Sequence, residues 1–238
     1  MKKQVIESFN QLSVAYENTV DHESPYNTHY ERPAMMEQLE KNLEKYQILD
    51  AGCAAGWYTD ALLKRGANVT AIDISKSMVE AAKRRVGNKA NILCHDLEET
   101  LPFPNETFHM IISSLTLHYI KDWNSVFTEF KRVLKPNGVL LFSVHHPFSD
   151  YTIFKSENYF SKELLTDQWM KAGKEIEVVF YRRPLHEIIQ TTVNHFTLSS
   201  LIEPQPIPEL KNINPKAFHT LSSEPRFLMI KAVKNKLM

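Results

Sequence analysis

Aspartate closes three successive apolar runs in this chain. Asp50 ends Ile48-Leu49, Asp73 ends Val69-Thr70-Ala71-Ile72, and Asp96 follows Asn91-Ile92-Leu93-Cys94-His95. Short apolar runs bounded by turn residues read as buried strands. A carboxylate at such a strand end can accept hydrogen bonds from hydroxyl or amine groups. Asp73 comes a little over twenty residues after the first strand, where a nucleotide-binding fold puts the acid that accepts two ribose hydroxyls.

Asp50 opens the turn Ala51-Gly52-Cys53-Ala54-Ala55-Gly56, which leads through Trp57 and Tyr58 into a helical pattern at Asp60, Ala61, Leu62 and Leu63. Gly52 can take backbone angles that a side chain forbids, and Gly56 lets a ligand approach the helix start. The order Asp50-x-Gly52-x-x-x-Gly56 departs from the G-x-G-x-x-G dinucleotide fingerprint. An acid ahead of the first glycine repels a diphosphate and suits a ligand with an ammonium group. Ser114, Leu115, His118, His145 and His146 follow the fourth and fifth apolar runs, so they fall on the rim of one crevice beyond the strand ends. His118 and His146 are the candidate general bases, since an imidazole takes up a proton near pH ~6.5. The competing reading is that they cap strand ends. A metal site is not expected: His145 and His146 are adjacent on a strand and point to opposite faces, and no His-x-x-x-His or Cys-x-x-Cys spacing occurs. Cys53 reads as a reactive thiol at a helix start or, more simply, a small buried filler.

The elements that position these residues follow from periodicity and punctuation. Helices are expected over 4–19, from Pro33 to about Lys45, over 58–65 ended by Gly66, over 76–86 ended by Gly87, over 124–134 and over 185–194. Between the first two lies a polar, aromatic stretch. The fourth strand is expected at 108–115, the fifth at 139–144 after Gly138, and two closing strands at 196–202 and 227–233. Residues 147–184 mix aromatics and charges without a clean period, apart from a strand-like 176–181. The plain reading of this stretch is an extra hairpin that thickens the sheet edge. Alternating strand and helix predicts a doubly wound parallel sheet.

Composition narrows the class. The 238 residues suit one α/β domain with additions, and 28 Lys plus Arg balance 28 Asp plus Glu. No overall field draws the chain to nucleic acid or an anionic membrane. The two cysteines, Cys53 and Cys94, are expected on buried strand ends without a disulfide. No long apolar run or signal peptide is evident, so a soluble, cytoplasmic protein is expected.

The run from Ile48 to Gly56, Asp73-Ile74-Ser75 with Met78, Asp96-Leu97, and Arg132-Val133-Leu134-Lys135-Pro136-Asn137-Gly138 together resemble the class I S-adenosylmethionine-dependent methyltransferases. The nearest subgroup looks like the small-molecule enzymes that include those of quinone biosynthesis. The resemblance implies a Rossmann-like doubly wound sheet of seven strands, the last antiparallel. It also implies a cap (1–45), a cofactor-binding core (46–146), a substrate-side insertion after the fifth strand (147–184), and a closing helix and strands (185–238). It implies S-adenosyl-L-methionine as cofactor and a small-molecule acceptor. Asp50 would lie beneath the methionine ammonium, with Gly52, Cys53, Ala54, Gly56, Trp57 and the Ser114 carbonyl nearby. Asp73 would hold the ribose, and Asp96 with Leu97 would address the adenine, sandwiched by Ile74 and Met78. Tyr16, Tyr26, Tyr30 and Arg32 in the cap would close the site or meet the cofactor's carboxylate; the alternative is a surface loop whose tyrosines pack on the sheet. Ala54 departs from the glycine common in the family and should narrow the turn without removing the site. The alternatives are a non-catalytic S-adenosylmethionine-binding protein and an NAD-dependent oxidoreductase.

Overall fold

The computed structural model describes residues 1–171 and 173–235. Seven strands form the main sheet: β1 (Gln47–Ala51), β2 (Asn68–Asp73), β3 (Asn91–Cys94), β4 (Phe108–Ser114), β5 (Leu134–His145), β8 (Thr197–Ile202) and β9 (Phe227–Val233). Their order is β3-β2-β1-β4-β5-β9-β8. The first five run parallel, and β9 lies antiparallel between β5 and β8, as the resemblance implies. The order reverses at β1 and β4, so their carboxyl ends flank the crevice where an α/β sheet takes its ligand.

Strand alternation splits the core into two faces. Ile111, Leu140, Phe142, Val144, Leu228 and Ile230 meet Trp123, Phe127 and Phe130 of helix α6 (Trp123–Val133) on one face. Ile48, Met110, Ile112, Leu141 and Met229 meet Met35, Leu43, Tyr58 and Leu62 on the other. The helix starts follow local chemistry. Ser75 Oγ accepts from Met78 N at 3.2 Å to cap α5 (Lys76–Val86), and Asp122 accepts from Asn124 N at 3.0 Å to cap α6.

The cap departs from expectation. Helix α1 (Lys2–Asn18) is followed by a short α2 (Val20–Glu23), a single π-helical turn at Asn27–Glu31 and a short α3 (Arg32–Glu37). The helix expected to run to Lys45 stops at Glu37. Arg65 Nη1 donates to the carbonyls of Met36, Leu39 and Glu40 at 3.0, 3.4 and 3.2 Å, which satisfies the helix end from outside. Leu39 and Leu43 are buried at a helical interval without being helical. Cys94 is exposed rather than buried, because β3 is the edge of the sheet. The insertion holds α7 (Pro147–Ile153) and a separate antiparallel pair, β6 (Glu163–Lys171) with β7 (Lys174–Arg182), which does not join the main sheet. Ser8 Oγ of α1 donates to Glu177 O at 2.6 Å, tying this hairpin to the cap. Helix α4 (Trp57–Lys64) follows β1, α8 (Leu185–His195) precedes β8, and α9 (Leu210–Ile213) and α10 (Pro215–Ser223) precede β9. Among the described residues no helix is long and apolar enough to cross a membrane.

Candidate active site

The turn after β1 is stitched to β2: Gly52 N and Cys53 N donate to Ile72 O at 2.8 and 3.0 Å. Gly52 has φ +86°, and a Cβ on it would lie 2.2 Å from Thr116 Oγ1, so nothing larger fits. Ala54 is held at φ +46° in the left-handed region, and its N–H donates to Asp73 Oδ2 at 2.9 Å. That conformation costs an L-residue roughly 1 kcal/mol. Ala54→Gly is therefore expected to raise the unfolding free energy by about 1 kcal/mol less the entropy of a freer unfolded chain. Denaturant unfolding checks it, and a clear loss of stability would contradict it.

Asp73 faces a cavity of 360 Å³. Its other oxygen accepts from Ser75 N at 2.8 Å. Burial pushes its pKa up to about 6, with the Ser75, Ala54 and Ile74 N–H donors opposing the rise. Of the residues named from the sequence, Gly52, Cys53, Ala54, Trp57, Ile74, Asp96, Leu97, Ser114 and Arg32 line the same cavity. Val5, Phe9 and Tyr16 of α1 and Tyr119 add an apolar wall. Lys2 reaches in as well, its ammonium 2.7 Å from Asp96 and 2.9 Å from Glu98. Burial, reinforced by Asp50 and Asp73, pushes the Cys53 thiol well up, so it is a small filler and not a thiolate.

Asp50, Gly56, Met78 and Tyr30 do not line this cavity. Asp50 lies buried behind the turn, with Oδ2 accepting from Thr59 Oγ1 at 2.6 Å and Oδ1 unpartnered among the described residues. Burial raises its pKa to about 7, against the Thr59 hydrogen bond, and the Asp73 charge adds to the rise. Gly56 seats the turn against Ala82. Met78 packs with Leu12, Ala55, Ala81 and Ile176 beneath the wall. Tyr30 turns away toward β9, where its hydroxyl accepts from Arg226 N at 3.1 Å and its ring packs on Phe227.

Arg32 does reach the site. Its guanidinium lies 4.4 Å over the Trp57 ring and bonds Asp21 at 2.8 Å, leaving Nη1 buried and unpartnered among the described residues. Its neighbour Glu31 had no sequence signal. It accepts from Tyr58 Oη at 2.7 Å, Ser114 Oγ at 2.8 Å and Ser143 Oγ at 2.6 Å, joining the cap to α4, β4 and β5. Burial raises its pKa, and the three hydroxyl donors oppose the rise.

A second cavity of 430 Å³ adjoins the first, sharing Tyr16, Asn27, Leu115 and Tyr119 with it. Trp169, Phe180 and Phe227 make it aromatic, and His145, Asp150 and Arg226 make it polar. The two histidines named as candidate bases line neither cavity. His118 sits in the turn Leu117–Tyr119 with both ring nitrogens buried and unpartnered among the described residues. Burial drives its pKa well below the ordinary value, helped by His145 and Arg183, so it stays neutral. His146 points to the opposite face of β5, where its Nε2 lies 2.9 Å from Glu203 Oε1. Strand alternation puts His145 on the cap side instead, with Ser143. Among the described residues no three His, Cys, Asp or Glu side chains gather as a metal site.

Residues 49–142 match the model of a methyltransferase domain family. The malonyl-acyl-carrier-protein O-methyltransferase of Buchnera aphidicola is 38% identical over 96 residues, 40% of this chain and 38% of that protein. A Bacillus subtilis protein named "Putative methyltransferase YqeM" is 36% identical over 121 residues, 49% of each chain. The matched stretch thus spans about half or less of the length of these curated relatives. A crystal structure described as a "putative S-adenosylmethionine dependent methyltransferase from Listeria monocytogenes" superposes with a TM-score of 0.76 at 26% identity, over 87% of this chain and 97% of that one.

Residues 49–142 thus carry the sequence pattern of a methyltransferase domain, and the chain shares its fold with S-adenosylmethionine-dependent methyltransferases. The cofactor of that class is S-adenosylmethionine, and the buried polar atoms fit it. Arg32 lines the cavity with Nη1 unpartnered among the described residues, a donor suited to a carboxylate, and Asp50 Oδ1 is an unpartnered acceptor behind the turn. Asp73 and the apolar wall suit a ribose and a flat base.

Proposed function

We propose that this chain transfers a methyl group from S-adenosylmethionine to a small-molecule acceptor seated in the second cavity. The observation that carries the reading is the pairing of two adjoining cavities. One presents Asp73 and the orphaned Arg32 donor, with the orphaned Asp50 acceptor behind the turn, and the other is aromatic with a few polar groups. When bound, the cofactor supplies an electrophilic methyl group on a sulfonium. The protein's part is to hold it, align the acceptor and exclude water. Asp73 would hold the ribose hydroxyls, Asp96 and Leu97 the adenine and Arg32 the carboxylate, while Asp50 would act on the ammonium by its charge from behind the turn, since it does not line the cavity. Phe9 and Tyr119, with ring centroids 5.0 Å apart, form an apolar part of the cavity wall. Relatives named as malonyl-acyl-carrier-protein O-methyltransferases support transfer to oxygen on a small acyl group as one acceptor chemistry.

The test is binding. Calorimetry should give S-adenosylhomocysteine affinity in the parent, weakened by about 2 kcal/mol or more in Asp73→Ala, where charge-assisted hydrogen bonds are lost. Unchanged affinity in that variant, or micromolar NAD binding by the parent, would overturn the reading. Binding without slow cofactor turnover across an acceptor panel would favour a non-catalytic role.

A further inference from the structure

The wall of the first cavity around Arg32 holds two further charged residues, Asp21 and Arg85. Asp21 divides its carboxylate between the two arginines. Oδ1 lies 2.8 Å from Arg32 Nη2, and Oδ2 lies 2.5 Å from Arg85 Nη2. Arg85 comes from the last turn of α5, the helix that Ser75 caps at its other end. Its neighbour Arg84 shows the contrast. Consecutive helical residues point about 100° apart. Arg84 turns outward, 58% exposed, and takes Glu17 of α1 at 2.7 and 2.8 Å, whereas Arg85 turns inward and is 17% exposed. A surface pair of the first kind contributes little. The second is screened less by solvent, so its charge is felt by whatever occupies the cavity.

The consequence falls on Arg32. An aspartate paired with Arg32 alone would offset its positive charge and repel an incoming anion. Shared with Arg85, the same carboxylate holds the guanidinium in place and leaves it positive charge to offer. The donor left over is Nη1, buried and unpartnered among the described residues, while the Trp57 ring lies 4.4 Å from the guanidinium. The other charges on this wall are committed. Glu31 accepts from Tyr58, Ser114 and Ser143, and Lys2 pairs with Asp96 and Glu98.

We propose that Arg85 sets the ligand specificity of this cavity. By offsetting the charge of Asp21 it keeps Arg32 available, so the site takes an adenosyl thioether or sulfonium with an intact α-carboxylate and rejects its decarboxylated counterpart. This rests on Arg32 meeting the carboxylate of S-adenosylmethionine. A ligand without that carboxylate keeps the adenosine and the ammonium but leaves Nη1 desolvated and unpaired. Arg85 acts through Asp21, so it is a positioning residue and takes no part in bond making.

Calorimetry on the full chain with two ligands tests this: S-adenosylhomocysteine, and S-adenosyl-3-thiopropylamine, which lacks only the carboxylate. The parent should bind the first about tenfold more tightly or better, the size of one charge-assisted contact. Arg85→Gln leaves Asp21 uncompensated. It should weaken S-adenosylhomocysteine by about tenfold while the decarboxylated ligand binds as well as before or better, since Asp21 now attracts its ammonium. Arg85→Lys keeps the charge and should keep the discrimination. The double variant Asp21→Asn/Arg85→Gln removes both charges together and should recover most of it. A merely structural Arg85 would weaken both ligands alike and gain nothing from the second substitution, and either result overturns the proposal. Equal binding of the two ligands by the parent overturns it as well. A parent that binds neither ligand overturns the methyltransferase reading itself.

Discussion

Glu31→Ala is expected to lower the unfolding free energy by about 3–5 kcal/mol, because it strips three buried or half-buried hydroxyls of their shared acceptor. Tyr58, Ser114 and Ser143 all donate to this carboxylate, and they come from α4, β4 and β5. The residue is therefore the pin between the cap and the sheet, and its removal also leaves a void in close-packed surroundings. Ser143 Oγ additionally accepts from Leu115 N at 3.0 Å, so the loss propagates to a residue that lines both cavities. Glu31→Gln keeps the shape and one acceptor oxygen and should cost less. Chemical denaturation of both variants checks the order. A loss under about 1 kcal/mol for alanine, the size of one ordinary surface contact, would show that the hydroxyls find other partners.

Nothing about Glu31 was legible in the sequence, and the reason is separation. Its bond to Ser143 spans 112 residues, and the π-helical turn that presents it has no local signature. The strands were legible because their apolar runs and the acids ending them are local. The antiparallel last strand followed from family likeness rather than from any residue pattern. The short α3 was misjudged since Leu39 and Leu43 keep a helical interval while Arg65, from beyond β1, ends the helix. The hairpin of the insertion was half missed for a related reason. On β6, Leu164 and Met170 are exposed beside partly buried Leu165 and Trp169, so apolar residues on both faces erase the period of two. The histidines show the limit of rim arguments. Alternation correctly separates His145 from His146, but which of them meets the cavity depends on which face the cap covers, and that is a tertiary fact.

The affinity for S-adenosylhomocysteine is expected to fall roughly tenfold on going from pH 7 to pH 6 and more steeply below, as two carboxylates must give up protons to bind. Asp50 titrates at about 7 and Asp73 at about 6, each raised chiefly by burial. An ammonium in the cavity, across the turn from Asp50, favours its ionised form, so binding below pH 7 expels a proton. Calorimetry in buffers of different ionisation enthalpy should detect that release. The same shift fixes the sign for stability. The ordinary value is 3.8 and the folded value about 7, so between these the folded protein keeps a proton that the unfolded chain has lost. Stability of the ligand-free protein therefore falls as pH rises through that window and stays low above it. Asp50→Asn cannot ionise, and its side-chain oxygen can still accept from Thr59. It should gain on the order of 2–4 kcal/mol over the parent at pH 8, and little at pH 4. It should also bind the ligand more weakly at pH 8 and lose the part of the pH dependence that belongs to Asp50. Greater stability with weaker binding in one variant is the signature of a carboxylate kept buried for its ligand. If Asp50→Asn is less stable than the parent at pH 8, the carboxylate is held by contacts within the fold, and its unpaired oxygen is not reserved for an ammonium group.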